Sequence, residues 1–158
     1  MKETALFSVV AKTPKETEEA GTRLASFIAR GEVSFVAMYG DLGAGKTAFV
    51  CGMASVLTPC AAVSSPTYAL VNEYRGDGVI LYHFDMYRIT GEEDLYSIGF
   101  FDYFAPDRRY PTCVLAAEWC EKIPDFLPER YYRVCIEKEG DARHITVSRI
   151  SGAKGGVQ

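Results

Sequence analysis

The chain has 158 residues, 48% of them hydrophobic and 24% charged, and carries a net charge of −4. That is the profile of one soluble globular domain with a full core. The acidic balance, with a sequence pI near 5.2, argues against a broad electrostatic footprint for nucleic acid, while leaving room for RNA held jointly with a more basic partner. Five cysteines (Cys51, Cys60, Cys113, Cys120 and Cys135) are odd in number and form no C-x-x-C pair. A disulfide framework or zinc site is not expected from them; buried thiols in a reducing cytosol are. Two histidines, His83 and His144, are too few for a His-rich metal site. No apolar run approaches the ~18 residues of a membrane span, and the N-terminus lacks a signal-peptide core, so a cytoplasmic protein with no membrane partner is expected.

In chain order, "ALFSVVA" (5–11) reads as a short strand. The next stretch, "TPKETEEAGTRLASFIARG", reads as a helix with Thr13 as N-cap, Pro14 in the first turn and Glu16 completing a capping box. Ala20, Leu24, Phe27 and Ile28 give it an apolar face, and Gly31 supplies a stop. "VSFVAMY" (33–39) is a nearly continuous apolar run, as expected of a central strand covered on both faces. "KTAFVCGMASVL" (46–57) reads as a helix. Two strands follow, joined by a tight turn at Gly76-Asp77-Gly78. Thr90 with Glu93 predicts a second capping box over "GEEDLYSIG". "TCVLAAEW" (112–119) reads as another buried strand, and "RYYRVCIEK" and "ARHITVSRI" as a terminal hairpin around "EGD". The pattern predicts an α/β fold, a P-loop NTPase-like three-layer sandwich on a mixed, mainly parallel central sheet. A single domain is expected over 1–150, followed by a Gly-rich, flexible tail over 151–158.

The strongest motif is Gly40, four residues, then Gly45-Lys46-Thr47, which fits G-x-x-x-x-G-K-[ST]. The glycines let the backbone curl so that successive N–H groups face phosphate oxygens, and the following helix points its positive end at the same place. Lys46 reaches the β- and γ-phosphates, and Thr47 offers a hydroxyl to Mg²⁺. No N/T-K-x-D guanine reader follows, since Asn72, the only asparagine, precedes Glu-Tyr; ATP is therefore favoured over GTP.

A P-loop also needs an acid at a strand end. "VILYHFD" ends at Asp85 and "CVLAAE" at Glu118, and the two carboxylates divide between ordering Mg²⁺ and orienting water in either sense. In "SSPTY" (64–68), Pro66 restricts the loop and Thr67 is placed to sense the γ-phosphate or Mg²⁺. His83 either tunes a neighbouring acid or is a satisfied structural histidine. Arg88 either pairs with Asp85 or contacts phosphate or partner. "DRRY" (107–110) reads as a solvated loop rather than a basic docking spot.

In order and spacing, "GDLGAGKT", "SSPTY", "YHFDMYRI", "EDLYSIGF" and "AAEW" resemble the TsaE (YjeE) family, from about residue 12 to about residue 150. The resemblance implies a small bacterial ATPase, using ATP and Mg²⁺, that serves the threonylcarbamoyladenosine modification of position 37 in tRNA. It implies TsaB and TsaD as partners, which stimulate the ATPase, and tRNA only indirectly through that complex. Carried over by motif, Leu42, Gly43, Ala44, Gly45, Lys46 and Thr47 would hold the phosphates. Thr47 and Glu118 would stand on the Mg²⁺ side, Asp85 would be the second acid, and Thr67 the switch threonine. Trp119 falls at the family's Glu-Trp motif. The adenine would lie between Thr13 and Pro14 on one side and Ala142 and Arg143 on the other. Ala116-Ala117 departs from the bulkier aliphatic pair usual before Glu-Trp. The competing readings are a small-molecule P-loop kinase, which would need an acceptor pocket and an Arg-bearing lid that the sequence does not display, and a nucleotide-binding module without hydrolysis.

Overall fold

The computed structural model describes residues 1–41, 43–61, 63, 70–105 and 107–152. Seven strands form one sheet: β1 (Lys2–Ala11), β2 (Val33–Tyr39), β3 (Val71–Arg75), β4 (Val79–Asp85), β5 (Thr112–Glu118), β6 (Tyr131–Glu139) and β7 (Ala142–Ser151), in the order β1-β7-β6-β2-β5-β4-β3. The four central strands, β6, β2, β5 and β4, run parallel, and both edges are antiparallel. β5 is buried along its whole length and β2 from Phe35 to Met38, which explains their unbroken apolar sequences.

Helices α1 (Pro14–Ala25) and α2 (Lys46–Leu57) cover one face. Val36, Met38, Leu81, Val114 and Ala116 pack beneath them. The short α3 (Glu92–Ser97) and three single 3-10 turns, Phe100–Phe104, Cys120–Lys122 and Pro124–Phe126, serve the other. That third layer is held by aromatic bulk rather than long helices: Phe100 meets Phe35 and Phe84 edge-on, and Phe104 stacks on Phe35 at 5.8 Å.

β2, α2 and the two strands joined at Gly76–Gly78 occupy the predicted positions. β1 starts earlier than the apolar run, because pairing with β7 extends from Ala11↔Arg143 back to Lys2↔Ser151 and draws polar residues 2–4 into the strand. The same pairing carries β7 to Ser151, one residue into the expected tail; residues 153–158 lie outside the described residues.

α1 stops at Ala25, six residues short of Gly31, where Ser26 turns its hydroxyl onto Arg23 O. Phe27 still packs, stacking on Phe7, but from beyond the helix. Gly31 instead sits in the turn before β2 and donates its N–H to Thr112 Oγ1. Of the expected capping boxes, Thr13 does accept the Glu16 N–H, while the Glu16 carboxylate meets the Thr13 hydroxyl rather than its backbone. At α3 the partner of Thr90 is Asp94, not Glu93; its carboxylate accepts both the N–H and the hydroxyl of Thr90, which holds it below the usual carboxylate range. Of the five thiols only Cys113 and Cys120 are buried, and Cys60 is exposed, so the expectation of uniformly buried thiols is corrected.

The α1–α2 contact determines where the phosphate loop stands. A Cβ on Gly21 would fall 2.0 Å from Phe49 O, and one on Gly52 would fall 1.8 Å from Glu18 O. The helices therefore meet backbone to backbone, with Thr22 Oγ1 donating across the crossing to Gly52 O. Gly52→Ala is expected to lower stability by roughly 1–3 kcal/mol through overpacking, outweighing the ~1 kcal/mol that alanine gains in helix propensity. Urea unfolding checks this; a variant as stable as the parent would show that the crossing relaxes freely.

Candidate nucleotide site

Sheet register assembles the site. β2, β5 and β4 are parallel neighbours, and their last paired rows bring Met38 beside Glu118 and Glu118 beside Asp85. Alternation along each strand turns these three residues to the same face as Leu81, Val114 and Val36, the face that carries α2. The two acids that the sequence places at separate strand ends are thus side by side under the start of α2. His83 and Ala116 form the preceding row.

The loop from β2 to α2 turns through Gly40, Gly43 and Gly45 at φ 151°, 77° and 108°, angles that favour glycine. Ala44 N–H returns to Asp41 O, and Phe49 N–H to Gly45 O opens the helix. At Gly40 a Cβ would stand 2.5 Å from Ile136 O, so the loop lies tight against β6. Thr47 follows in the first turn of α2, half-buried. Leu42 and the whole of 64–68, with Thr67, lie outside the described residues.

Lys46 is buried at 5% exposure. Its Nζ donates to Gly40 O at 2.5 Å and lies 3.9 Å from the centre of the Trp119 ring. Among the described residues no carboxylate forms an ion pair with it. Burial holds the ammonium below the usual lysine value of 10.5; Glu118 most, then Glu121, Asp85 and Asp41, push the other way. A carbonyl and a ring face are weak partners for a buried charge, and phosphate oxygens would replace them readily. Trp119 takes a left-handed backbone at φ 61° and packs against Tyr87 at 5.0 Å. Its ring therefore borders the site while also packing on the core layer beneath.

The acids are held differently. Asp85 Oδ1 accepts the Tyr87 N–H at 2.9 Å in the turn after β4. Glu118, 6% exposed, accepts from His83 Nε2 at Oε2, 2.5 Å away. His83 thus touches the acid of the neighbouring strand, not the one two residues along its own chain. Arg88 is exposed and forms no ion pair with Asp85 among the described residues. Arg109 of "DRRY" is occupied by the Asp107 carboxylate in an exposed turn, in keeping with a solvated loop.

Beyond the loop, a cleft of about 190 Å³ is lined by residues that include Thr13, Pro14, Gly43, Gly45, Asp141 and Arg143. Its hairpin side is Asp141 and Arg143 rather than Ala142, which begins β7 and accepts from Arg143 Nη1 through its carbonyl. Arg143 Nη2 also reaches Gly43 O at 3.4 Å. Two neighbours of the loop were not legible beforehand, and for His83 the sequence left open which acid it meets. Lys138 Nζ lies beside Gly43, Thr17 backs Gly45 from α1, and the acid beside His83 is Glu118. Each depends on strand register or helix docking, for which a single sequence carries no local signal. A larger cavity, about 380 Å³, lies at the opposite ends of β4 and β5, by Val79, Thr112 and Arg30, away from the phosphate loop.

Thr47, Asp85 and Glu118 offer hard oxygen donors, the set that suits Mg²⁺. Among the described residues no group of three or more His, Cys, Asp or Glu side chains gathers to hold a metal. A cation here fits only as one shared with phosphate oxygens and water, the usual manner of Mg²⁺ at nucleotide sites.

Because Trp119 is the only tryptophan and Lys46 lies over it, a nucleotide that draws the ammonium away is expected to change the intrinsic fluorescence in a saturable titration. Lys46→Met should abolish most of the change. An equal signal from that variant would show that the ring senses something other than the lysine.

Known proteins resemble the chain over most of its length. The family model described as "TsaE: Threonylcarbamoyl adenosine biosynthesis protein TsaE" matches residues 11–145. The protein named tRNA threonylcarbamoyladenosine biosynthesis protein TsaE from Haemophilus influenzae is 44% identical over 70% of this chain and 66% of its own length. Its namesake from Bacillus subtilis is 36% identical over 87% of this chain and 82% of its own length. The crystal structure of Bacillus subtilis YdiB superposes with a TM-score of 0.71 at 28% identity, covering 95% of this chain and 87% of that one.

Proposed function

The chain belongs to the TsaE family, and from that premise we propose that it is the Mg²⁺-dependent ATPase of a tRNA threonylcarbamoyladenosine machinery, acting in the cytoplasm. The observation that carries this reading is the row of Glu118 and Asp85 at the ends of two parallel strands, facing a phosphate loop whose lysine, among the described residues, has a carbonyl and a ring to hold it. ATP lies with its phosphates against the backbone of residues 42–47, including Leu42, Gly43, Ala44 and Gly45. Its adenine takes the cleft between Thr13, Pro14 and Arg143.

Lys46 carries the charge that compensates the β- and γ-phosphates. Thr47 and Glu118 stand on the Mg²⁺ side and Asp85 is the second acid. Mg²⁺, when bound, supplies positive charge at the phosphate oxygens. The carboxylate free of the cation orients the attacking water, and Thr67 is the threonine that senses the γ-phosphate. Trp119 and Tyr87 cover the lysine side of the site and limit water there.

The partners are TsaB and TsaD, with tRNA reached only through them. The net charge of −4 supports an indirect relation to tRNA. Hydrolysis resets the TsaB–TsaD complex between turnovers; no acceptor group of a small-molecule kinase is required. The larger cavity lies too far from the loop to seat such an acceptor.

ATP turnover by the purified chain is expected to be slow and to rise on adding TsaB and TsaD. If mixing leaves the rate unchanged, the partner reading fails; phosphorylation of a metabolite would favour a kinase instead. Glu118→Gln keeps an acceptor for His83 and removes the charge. It should retain ATP affinity within about threefold and lose on the order of 10²-fold in turnover. Normal hydrolysis by that variant would remove Glu118 from the reaction.

A further inference from the structure

We infer that His83 is a positioning residue that grips one oxygen of Glu118 and leaves the other to serve the phosphate end of the site. His83 is wholly buried at 0% exposure. Its Nε2 lies 2.5 Å from Glu118 Oε2, and its Nδ1 has no hydrogen-bond partner among the described residues. Against an ionised Glu118, Nε2 carries the hydrogen toward the carboxylate, since a bare nitrogen there would set lone pair against lone pair. Nδ1 is then the bare nitrogen, with no acceptor for a proton among the described residues.

A histidine in an apolar layer with one ring nitrogen unpaired is a costly choice. Valine or leucine would fill the same place among Leu81, Val114 and Val36 without that cost. Among the described residues, the contact with Glu118 is the one interaction at this position that uses a ring nitrogen. Ala116 makes the contact possible. It is the register partner of His83 on β5, and its methyl leaves lateral space for the imidazole to lean one row forward to Glu118. The departure at Ala116-Ala117 from bulkier residues is thereby explained at Ala116.

Oε2 is committed to His83, so Oε1 is the oxygen free to meet water or a cation's hydration shell. Without the clamp the carboxylate would rotate about its terminal bond, which is broad and two-fold. A group that orients a ligating or water-directing carboxylate in this way is worth about 10–100-fold.

The inference rests on the ATPase reading for its consequence but not for its geometry, and two experiments separate them. In the nucleotide-free full chain, long-range ¹H–¹⁵N NMR of the imidazole is expected to show a proton on Nε2 and a bare Nδ1. A proton on Nδ1 with Nε2 bare, or a ring averaging between the two neutral forms, would overturn the clamp whether or not ATP is hydrolysed. In steady-state assays His83→Leu is expected to lower kcat 10–100-fold while Kd for ATP, from Trp119 fluorescence, changes less than threefold. His83→Gln, whose amide nitrogen replaces Nε2, should recover kcat to within about fivefold of the parent. His83→Asn, whose donor is retracted toward Nδ1, should not.

Should His83→Leu fail to fold, the Gln and Asn variants decide, both being polar. Equal kcat in the two, or parallel losses of kcat and ATP affinity, would sink the positioning role. An unmutated chain that hydrolyses no ATP, yet shows the expected imidazole form, would refute the ATPase reading and leave the clamp standing.

Discussion

A lysine ammonium taken out of water is the constraint around which this molecule is arranged. Lys46 begins α2, is almost entirely buried, and among the described residues is held by the Gly40 carbonyl and the Trp119 ring rather than by an ion pair. Burying a charge without a counter-charge is unfavourable. Here the cost is moderated by the carboxylates of Glu118, Glu121, Asp85 and Asp41 acting through space. A salt bridge would hold the ammonium more firmly, and a polyanion would then have to break it. Weak neutral partners keep the charge in place and exchangeable.

Two packing devices make that arrangement possible. The glycine crossing of α1 and α2 lets the helices touch through their backbones, which seats the N-terminus of α2 over the sheet. The parallel register of β2, β5 and β4 delivers Glu118 and Asp85 to the same end and the same face. A shift of one residue in β4 or β5 would turn its acid to the opposite layer, among Phe35, Phe84 and Phe100. The aromatic third layer therefore contributes more than bulk: by demanding apolar residues on its own side, it holds the register that puts the acids on the other.

The edges of the sheet do separate work. The antiparallel β6–β7 hairpin ends in a turn at Gly140 and Asp141, and from there Asp141 and Arg143 reach the cleft by Thr13 and Gly43. Arg143 touches the loop backbone itself. One end of the molecule thus collects the phosphate loop, the two acids and the base-sized cleft. The opposite end holds a larger cavity with no acid row.

The local elements were legible because their signals are local. The apolar runs of β2 and β5, the Thr13 cap with Pro14, and the spacing Gly40…Gly45-Lys46-Thr47 each declare themselves within a dozen residues. Helix ends were less legible: α1 stops at Ala25 because Ser26 and the turn after it offer better partners, and Gly31, the obvious stop, is spent on the entry to β2. The sequence by itself determined that a glycine loop of the phosphate-binding pattern stands at residues 40–47, and that single carboxylates close two buried strands. Only the tertiary structure decided that those strands are neighbours, that Glu118 rather than Asp85 receives His83, and that Trp119 faces Lys46. The reason is physical: a cap or a glycine loop is a property of adjacent residues, whereas a contact between rows of a sheet exists only once register, face and helix docking have been chosen together.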